Sequence, residues 1–303
     1  MRKILLTGKN GQVGWELQRA LAPLGNVMAF DRREMDLADP DSIRKVIKEF
    51  RPDVIVNAAA YTAVDKAESE PDLAMAVNGV APGILAEEAK RLNAVIIHFS
   101  TDYVFDGTKK TPYSEEDIPN PLNVYGKTKL VGERAVQAGG APYLILRTSW
   151  VYGARGRNFL LTILRLARER GELKIVDDQV GAPTWGRLLA EVTSQIVAQF
   201  FSPLCRPAAQ MADVSGIYNA VSAGSTSWHG FAIKILEGVS RRIIQSPPKL
   251  IPIPTSEYPL LAARPRNSCL SNEKLMRTYG LAIPAWDASL EFCLQEMAGA
   301  SVT

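Results

Sequence analysis

A glycine-rich loop near the start of the chain constrains its fold most strongly. Residues Lys3–Thr7 are typical of a short buried strand, and the loop that follows has a G-x-x-G-x-x-G spacing. Gly8 permits a tight turn, Gly11 lets backbone approach a pyrophosphate, and Gly14 lets the next helix pack against the strand. That helix, predicted over residues 13–21, would offer its free N–H groups to phosphates. The loop therefore predicts a dinucleotide-binding βα unit, although an ordinary glycine turn can share the spacing.

Strand and helix patterns then alternate as far as about residue 150. Further strands are predicted over residues 26–31, 53–57, 95–100 and 143–148, and helices over 42–50, 72–92 and 122–136, with a kink at Pro82. This alternation predicts an α/β fold with a Rossmann-type doubly wound parallel sheet, in which residues 1–150 form an NAD(P)-binding domain. The pattern is less regular over residues 151–303. We expect that half to form a smaller mixed α/β substrate-binding lobe with an imprecise, interleaved boundary.

The predicted second strand ends in a carboxylate beside two arginines. Asp31 lies seventeen residues after Gly14, near the usual place of the carboxylate that binds the ribose hydroxyls of NAD. Arg32 and Arg33 follow at once, and an arginine there can pair with the 2′-phosphate of NADP. Because both residue types are present, the sequence leaves the choice between NADPH and NADH open.

A tyrosine and a lysine four residues apart lie on a predicted helix. Tyr125 and Lys129 would share one face of that helix, about one turn apart. An ammonium beside a phenol lowers the phenol pKa toward neutral pH, so such a tyrosine can give a proton to a reduced carbonyl oxygen. Thr101, at the end of the predicted fourth strand, could hydrogen-bond the same carbonyl. A surface helix and a serine/threonine turn are the ordinary explanations of these residues.

Composition excludes several other classes of protein. The net charge of +3 over 303 residues is too small to indicate nucleic acid or a membrane surface as a partner. Two histidines cannot form a histidine-rich metal site, and the apolar run after Met1 is too short for a signal peptide or a spanning helix. Three scattered cysteines, Cys205, Cys269 and Cys293, are typical of a cytoplasmic protein with reduced thiols.

Taken together, these motifs resemble the extended short-chain dehydrogenase/reductase superfamily, and within it the family of dTDP-4-dehydrorhamnose reductases. The resemblance runs along the whole chain and is carried by the stretches GQVGWEL (11–17), AVDKAE (63–68), STDYVF (100–105), NVYGKTK (123–129), RTSWVY (147–152) and DQVGAPT (178–184), with Arg264-Pro265 and Asn267-Ser268 near the end.

The resemblance implies an enzyme of dTDP-rhamnose and cell-surface polysaccharide (lipopolysaccharide O-antigen) biosynthesis. Members of this family reduce the 4-keto group of dTDP-4-dehydro-β-L-rhamnose with NADPH or NADH, and some are homodimers. The expected partner is thus a small nucleotide sugar rather than a nucleic acid or a membrane.

Individual site residues follow from the same resemblance. The catalytic set would be Tyr125 as proton donor, Lys129 as its partner, and Thr101. Cofactor contacts would come from Gly8, Gly11, Gln12, Val13 and Gly14 at the pyrophosphate, from Asp31, Arg32, Asp36 and Leu37 at the adenosine, and from Ala58, Ala60, Tyr61, Thr62 and Phe99 toward the nicotinamide. Thr101, Asp102 and Trp150 would contact the sugar, and we infer that Arg264 meets the diphosphate.

One departure from the family concerns a metal ion. Some members hold Mg²⁺ at a dimer contact through glutamates of both subunits, and Glu16 and Glu296 match two of these positions. Arg187 stands where a third glutamate is expected. An arginine would replace the cation by an ion pair, so the sequence predicts no required Mg²⁺.

Other functions remain possible for a chain of this kind. A nucleotide-sugar epimerase or another 4-ketoreductase would use the same scaffold. A 4,6-dehydratase commonly has an Asp-Glu pair after the strand-four threonine, whereas this chain has Asp102-Tyr103. A non-catalytic binder, similar to the regulatory subunit of methionine adenosyltransferase, need not keep the Thr101, Tyr125 and Lys129 set that is present here. Fold alone does not decide among them.

Overall fold

The computed structural model describes residues 1–201, 215–239 and 246–300. Strands occupy β1 (Lys3–Thr7), β2 (Asn26–Phe30), β3 (Val54–Asn57), β4 (Val95–Thr101), β5 (Tyr143–Thr148), β6 (Val151–Tyr152), β7 (Glu172–Val176), β8 (Val180–Gly181), β9 (Thr184–Trp185), β10 (Gly216–Asn219), β11 (Thr226–Ser227) and β12 (Lys249–Ile253). Helices occupy α1 (Gln12–Leu21), α2 (Pro40–Phe50), α3 (Val64–Ala67), α4 (Pro71–Met75), α5 (Ala81–Leu92), α6 (Val124–Ala138), α7 (Phe159–Glu169), α8 (Gly186–Phe201), α9 (Trp228–Gly238), α10 (Glu273–Tyr279) and α11 (Trp286–Ala300).

A six-stranded sheet forms the centre of the molecule. All its neighbouring strands pair in parallel, in the order β10-β5-β4-β3-β1-β2. Alternate residues of each strand face opposite sides, so Leu5 packs on one helical layer and its neighbours Ile4 and Leu6 pack on the other. One layer consists of α1 and α8, and the other of α2, α5 and α6. The predicted doubly wound α/β fold is confirmed.

The second half of the chain contributes to this sheet. Strand β10 extends it beyond β5, and α8 packs against α1. A separate apolar cluster in the second half is built from α7, α9 and α11 around residues that include Tyr152, Trp185 and Phe231. Strand β10 and helix α8 thus belong to the layers of the central sheet, whereas α7, α9 and α11 belong to the separate cluster.

The long helix predicted over residues 72–92 is divided by a π-helical turn, Ala76–Val80, between α4 and α5. Pro82 has no N–H and cannot bond the carbonyl of Asn78, which is where the regular hydrogen-bond pattern is lost. The Asn78 carbonyl instead faces Gly132 of α6, where an added Cβ would lie only 2.1 Å away. The predicted kink therefore begins one turn before the proline and brings α6 close.

The described cysteines are free and buried, at Cys269 and Cys293, whereas Cys205 lies outside the described residues. Within the described ranges, none of the helices has both the length and the apolar composition needed to cross a bilayer.

Candidate active site

A cleft of about 900 Å³ opens at the carboxyl ends of β1 to β5. This is where a doubly wound sheet binds its ligands. Its lining includes most of the cofactor residues predicted from the sequence: Gly8, Gly11, Gln12, Val13, Asp31, Arg32, Asp36, Leu37, Ala58, Ala60, Tyr61, Thr62, Phe99, Tyr125 and Lys129. Gly14 lies behind this surface.

The glycine spacing has a direct steric cause. Gly8 adopts a left-handed conformation, with φ of 76°, and its carbonyl accepts the Gly11 N–H at 2.9 Å. A side chain on Gly14 would place its Cβ 2.0 Å from the Gly8 oxygen. The start of α1 can therefore approach β1 only with glycine at position 14, and the loop backbone lines the cleft.

The end of the cleft beside β2 carries a fixed carboxylate. Asp31 accepts the Arg33 N–H at 2.9 Å and the Asn10 side chain at 3.2 Å, with the Lys9 ammonium 3.9 Å away. These hydrogen bonds, the one from Arg33 above all, hold the pKa of Asp31 below its usual value. Lys9 and Asn10 were not predicted as site residues, because their contacts with Asp31 form only when β1 and β2 lie side by side. Arg33, which the sequence offered with Arg32 as a partner for a 2′-phosphate, lines the cleft.

We expect this end to accept both NADH and NADPH with a preference below roughly a thousandfold. The ionised Asp31 can accept hydrogen bonds from ribose hydroxyls. The Arg32 side chain is largely exposed, and its hydrogen bond with Asp36 is long, at 3.5 Å, so it can turn toward a 2′-phosphate. Titration of each cofactor against intrinsic fluorescence measures the ratio. Replacing Arg32 by alanine should weaken NADPH alone, and a larger preference in the unaltered protein would contradict dual use.

Helix α6 brings Tyr125 and Lys129 to the cleft. Asn123 caps its start by accepting the Gly126 N–H at 2.8 Å. Gly126 is itself required, because a Cβ there would lie 2.1 Å from the Tyr103 carbonyl. The helix can therefore pack closely against the turn after β4, which places Tyr125 beside Thr101.

The pKa of Tyr125 moves opposite to the sequence expectation. Burial raises it, the hydrogen bond with Thr101 lowers it, and the charge of Asp102 raises it further. The predicted lowering by Lys129 is therefore wrong, because burial of the phenol outweighs the groups that favour its ionised form. A neutral phenol is nevertheless the form that can donate a proton.

The Lys129 side chain is almost completely buried, and it lines the cleft. Its ammonium donates to the Phe99 carbonyl at 2.6 Å. Burial lowers the pKa of Lys129 to about 8, and the nearby Glu133 carboxylate raises it. Both the amine and the ammonium are thus accessible near neutral pH.

Asp102 is a buried acid beside Thr101. Its Oδ1 accepts the Thr101 hydroxyl at 2.9 Å, whereas Oδ2 makes no hydrogen bond of normal geometry to the described residues, although the Ser268 hydroxyl lies near enough to the carboxyl to lower its pKa. Burial raises the pKa of Asp102 to about 7. A buried carboxylate oxygen without a partner is costly, which is consistent with the predicted contact to a sugar hydroxyl.

Two tryptophans that are distant in the chain stack on each other. Trp150 has a positive φ of 47°, uncommon for a bulky residue, and stacks on Trp228 with ring centroids 3.5 Å apart and planes 4° apart. Gln179 accepts the Trp228 indole N–H at 3.3 Å. Trp150 was predicted from the resemblance, whereas Trp228 was not, since no sequence signal links residues so far apart.

Arg264 is already engaged by protein groups. It donates to the Asp65 carboxylate at 2.7 Å and to the Tyr103 hydroxyl at 2.9 Å. A diphosphate would have to compete with Asp65 for this guanidinium, so the proposed diphosphate contact stays a prediction. The Tyr103 ring meets Tyr125 edge-on, with centroids 5.8 Å apart.

A further set of cleft residues lies after β6. Gly156 and Arg157 line the cleft near the glycine loop, and the Asn158 amide donates to the Gln12 side chain at 2.9 Å. These residues were not predicted. They come from the second half of the chain, and only the folded structure brings them next to the glycine loop.

The residues at the expected metal position do not fit Mg²⁺. Arg187 lies 3.0 Å from Glu191 and 3.6 Å from Glu296, so a guanidinium occupies the centre of this acidic cluster. Burial raises the pKa of Glu16, as does Glu296, while Arg187 lowers it. Among the described residues, no group of three or more histidine, cysteine or carboxylate side chains is arranged to hold a metal ion.

Treatment with EDTA is expected to leave activity and oligomeric state unchanged. Arg187 supplies the positive charge that would otherwise require a cation. Steady-state rates and light scattering before and after chelation provide the measurement. Loss of either property, restored specifically by Mg²⁺, would contradict this expectation.

Comparison with known proteins agrees with this geometry. Residues 1–298 match the family described as the RmlD substrate binding domain. The chain is 50% identical to a dTDP-4-dehydrorhamnose reductase of Burkholderia thailandensis, over 97% of this chain and 99% of that one, and 46% identical to one of Escherichia coli K12, over 97% of each. A dTDP-4-dehydrorhamnose reductase of Bacillus anthracis, solved in complex with NADP, superposes with a TM-score of 0.87 at 34% identity, covering 97% of this chain and 99% of that one. The chain therefore belongs to the RmlD family, among the dTDP-4-dehydrorhamnose reductases and their relatives.

Proposed function

We propose that this protein reduces the 4-keto group of dTDP-4-dehydro-β-L-rhamnose to give dTDP-L-rhamnose. The proposal rests on one observation: Tyr125, Lys129 and the glycine loop line the same cleft, and Thr101 hydrogen-bonds the Tyr125 phenol. A hydride acceptor placed there would have its oxygen next to a neutral proton donor.

The chain's own residues provide binding, orientation and a proton. When bound, the reduced nicotinamide supplies the hydride. Thr101 would hydrogen-bond the developing alkoxide, and Tyr125 would protonate it. The Trp150 face would bound the sugar on one side, and the free Oδ2 of Asp102 would accept a sugar hydroxyl. Lys129 would hold the nicotinamide ribose through an N–H directed into the cleft.

The test is a substrate panel. The protein is incubated with NADPH and a series of nucleotide 4-keto-6-deoxy sugars, and oxidation of the cofactor is followed by absorbance. We expect the fastest oxidation with the dTDP-linked L-sugar. Turnover of ordinary UDP-hexoses, with a nicotinamide cofactor retained through purification, would instead indicate an epimerase. Cofactor binding without turnover of any sugar would indicate a regulatory subunit.

We also place the protein in the cytoplasm as a homodimer. The free, buried thiols of Cys269 and Cys293 support a reducing compartment, and the dimer rests on the family resemblance. Light scattering of the purified protein tests the dimer, and a monomer at micromolar concentration would contradict it.

A further inference from the structure

A buried histidine links the end of β3 to Lys129. His98 lies on β4 and has no exposed surface. Its Nδ1 is 3.0 Å from the Asn57 amide nitrogen of β3, and its Nε2 is 3.3 Å from Nζ of Lys129. Neither nitrogen faces solvent, so the proton on the neutral ring must be placed by these two neighbours.

The direction of the hydrogen bonds follows from the Thr7 hydroxyl. It accepts the Ala59 N–H at 3.1 Å, and its own single proton needs an acceptor. Among the described residues that acceptor is the Asn57 side-chain oxygen at 2.6 Å. This fixes the orientation of the Asn57 amide, whose NH₂ group donates to Nδ1 of His98. The ring proton of His98 therefore belongs on Nε2, facing Lys129.

This arrangement has a consequence for Lys129. An Nε2–H donor facing Nζ is satisfied only if Nζ offers a lone pair, which an amine has and an ammonium lacks. Of the two N–H bonds of such an amine, one donates to the Phe99 carbonyl at 2.6 Å. The other remains for the cleft, which Lys129 lines. All the hydrogen-bonding capacity of a neutral Lys129 is thus accounted for.

The surrounding charges leave room for this state. On α6 itself, Glu133 faces Lys129 but is paired with Arg147 of β5 through two hydrogen bonds of 2.9 and 2.7 Å. Tyr125 is a neutral phenol on the same helix, and Asp102, after β4, acts on that phenol. Burial lowers the pKa of Lys129 to about 8, and burial together with Lys129 holds the pKa of His98 well below its usual value.

We propose that His98 is a positioning residue, held as its Nε2–H tautomer by Thr7 and Asn57, which favours Lys129 as an amine and directs its remaining N–H into the cleft. The role of Lys129 in reduction rests on the proposed function. The hydrogen-bond direction rests only on the buried contacts of His98.

A measurement on the unaltered protein tests the tautomer. The sequence has two histidines, His98 and His229, so ¹⁵N-histidine labelling gives two ring systems to assign by long-range ¹H–¹⁵N correlation. At pH 9, above the pKa of Lys129, we expect one ring with protonated Nε2 and unprotonated Nδ1. A Nδ1–H tautomer or an imidazolium at this site would overturn the proposal. No turnover is needed, so this result is independent of whether the proposed function is correct.

A variant tests the effect on Lys129. His98→Gln replaces the fixed Nε2–H donor by an amide that can turn its oxygen to Lys129 and accept from an ammonium, so the pKa of Lys129 should rise. We expect kcat to fall roughly 10- to 100-fold, as for one lost buried hydrogen bond. The limb of the pH–rate profile that titrates near pH 8 should move up by about one unit.

The matched control is His229→Gln, the same substitution on α9, which should leave the profile in place. An unshifted profile in folded, active His98→Gln would overturn the proposal. If circular dichroism shows that His98→Gln does not fold, the tautomer measurement decides. If the protein reduces no keto sugar, the proposed function fails, while the tautomer result still decides the hydrogen-bond direction.

Discussion

Replacing Tyr125 by phenylalanine is expected to lower kcat for keto-sugar reduction by roughly 10²–10⁴. The phenol is the acidic group that the structure places at the meeting of Thr101 and the cofactor cleft. Without it, the developing alkoxide would have to take its proton from water. The pKa of Tyr125 is raised by burial, so the wild-type phenol is protonated across the neutral range and available for reduction.

Cofactor affinity should change little in this variant, because the ring remains and Lys129 keeps its contact with Phe99. Fluorescence titration with NADPH measures this separately from turnover. Tyr143→Phe is the matched control, since Tyr143 is the first residue of β5 and the cleft lies at the other, carboxyl end of that strand. Turnover of Tyr125→Phe near the wild-type rate would show that Tyr125 is not the proton donor.

Local sequence was sufficient for the glycine loop and for the pair on α6. In both cases the chemistry depends on residues close together in the chain. The spacing of Gly8, Gly11 and Gly14 follows from the contact of one turn with itself, and Tyr125 and Lys129 share a face because a helix repeats every 3.6 residues.

Properties set by packing between distant segments were not predictable in the same way. The pKa of Tyr125 depends on its burial and on the nearby Asp102 and Tyr103, which together outweigh the effect expected from Lys129. Trp228 reaches Trp150 across the second lobe. In the helix predicted over residues 72–92, the kink begins where Gly132 of α6 leaves room for the Asn78 carbonyl. A single sequence gives no signal for these contacts.

Replacing Asp102 by asparagine is expected to stabilise the protein at alkaline pH while impairing the reaction. The folded pKa of this carboxyl is about 7, against an ordinary value of 3.8. The folded state therefore holds the proton more tightly than the unfolded state. Stability is greatest below the unfolded pKa, declines as pH rises through this interval, and levels off above the folded pKa.

Asparagine does not titrate, so its advantage over aspartate should grow by roughly 3 kcal/mol between pH 5 and pH 8. Urea unfolding of both proteins at the two pH values measures this double difference, in which other titrating groups cancel. The cost should appear as a loss of roughly 10- to 100-fold in kcat/KM, because the carboxylate oxygen offered to the sugar is gone.

Asp106→Asn provides the control with the opposite sign. Hydrogen bonds from Thr108 and Asn120 hold the pKa of Asp106 at about 2, so its contribution to stability is lost only in acid, below the unfolded pKa. That variant should be destabilised equally at pH 5 and pH 8. If Asp102→Asn behaves in the same pH-independent way, Asp102 is ionised without penalty in the folded protein. Its unpartnered oxygen would then carry no energetic cost that a substrate hydroxyl could relieve.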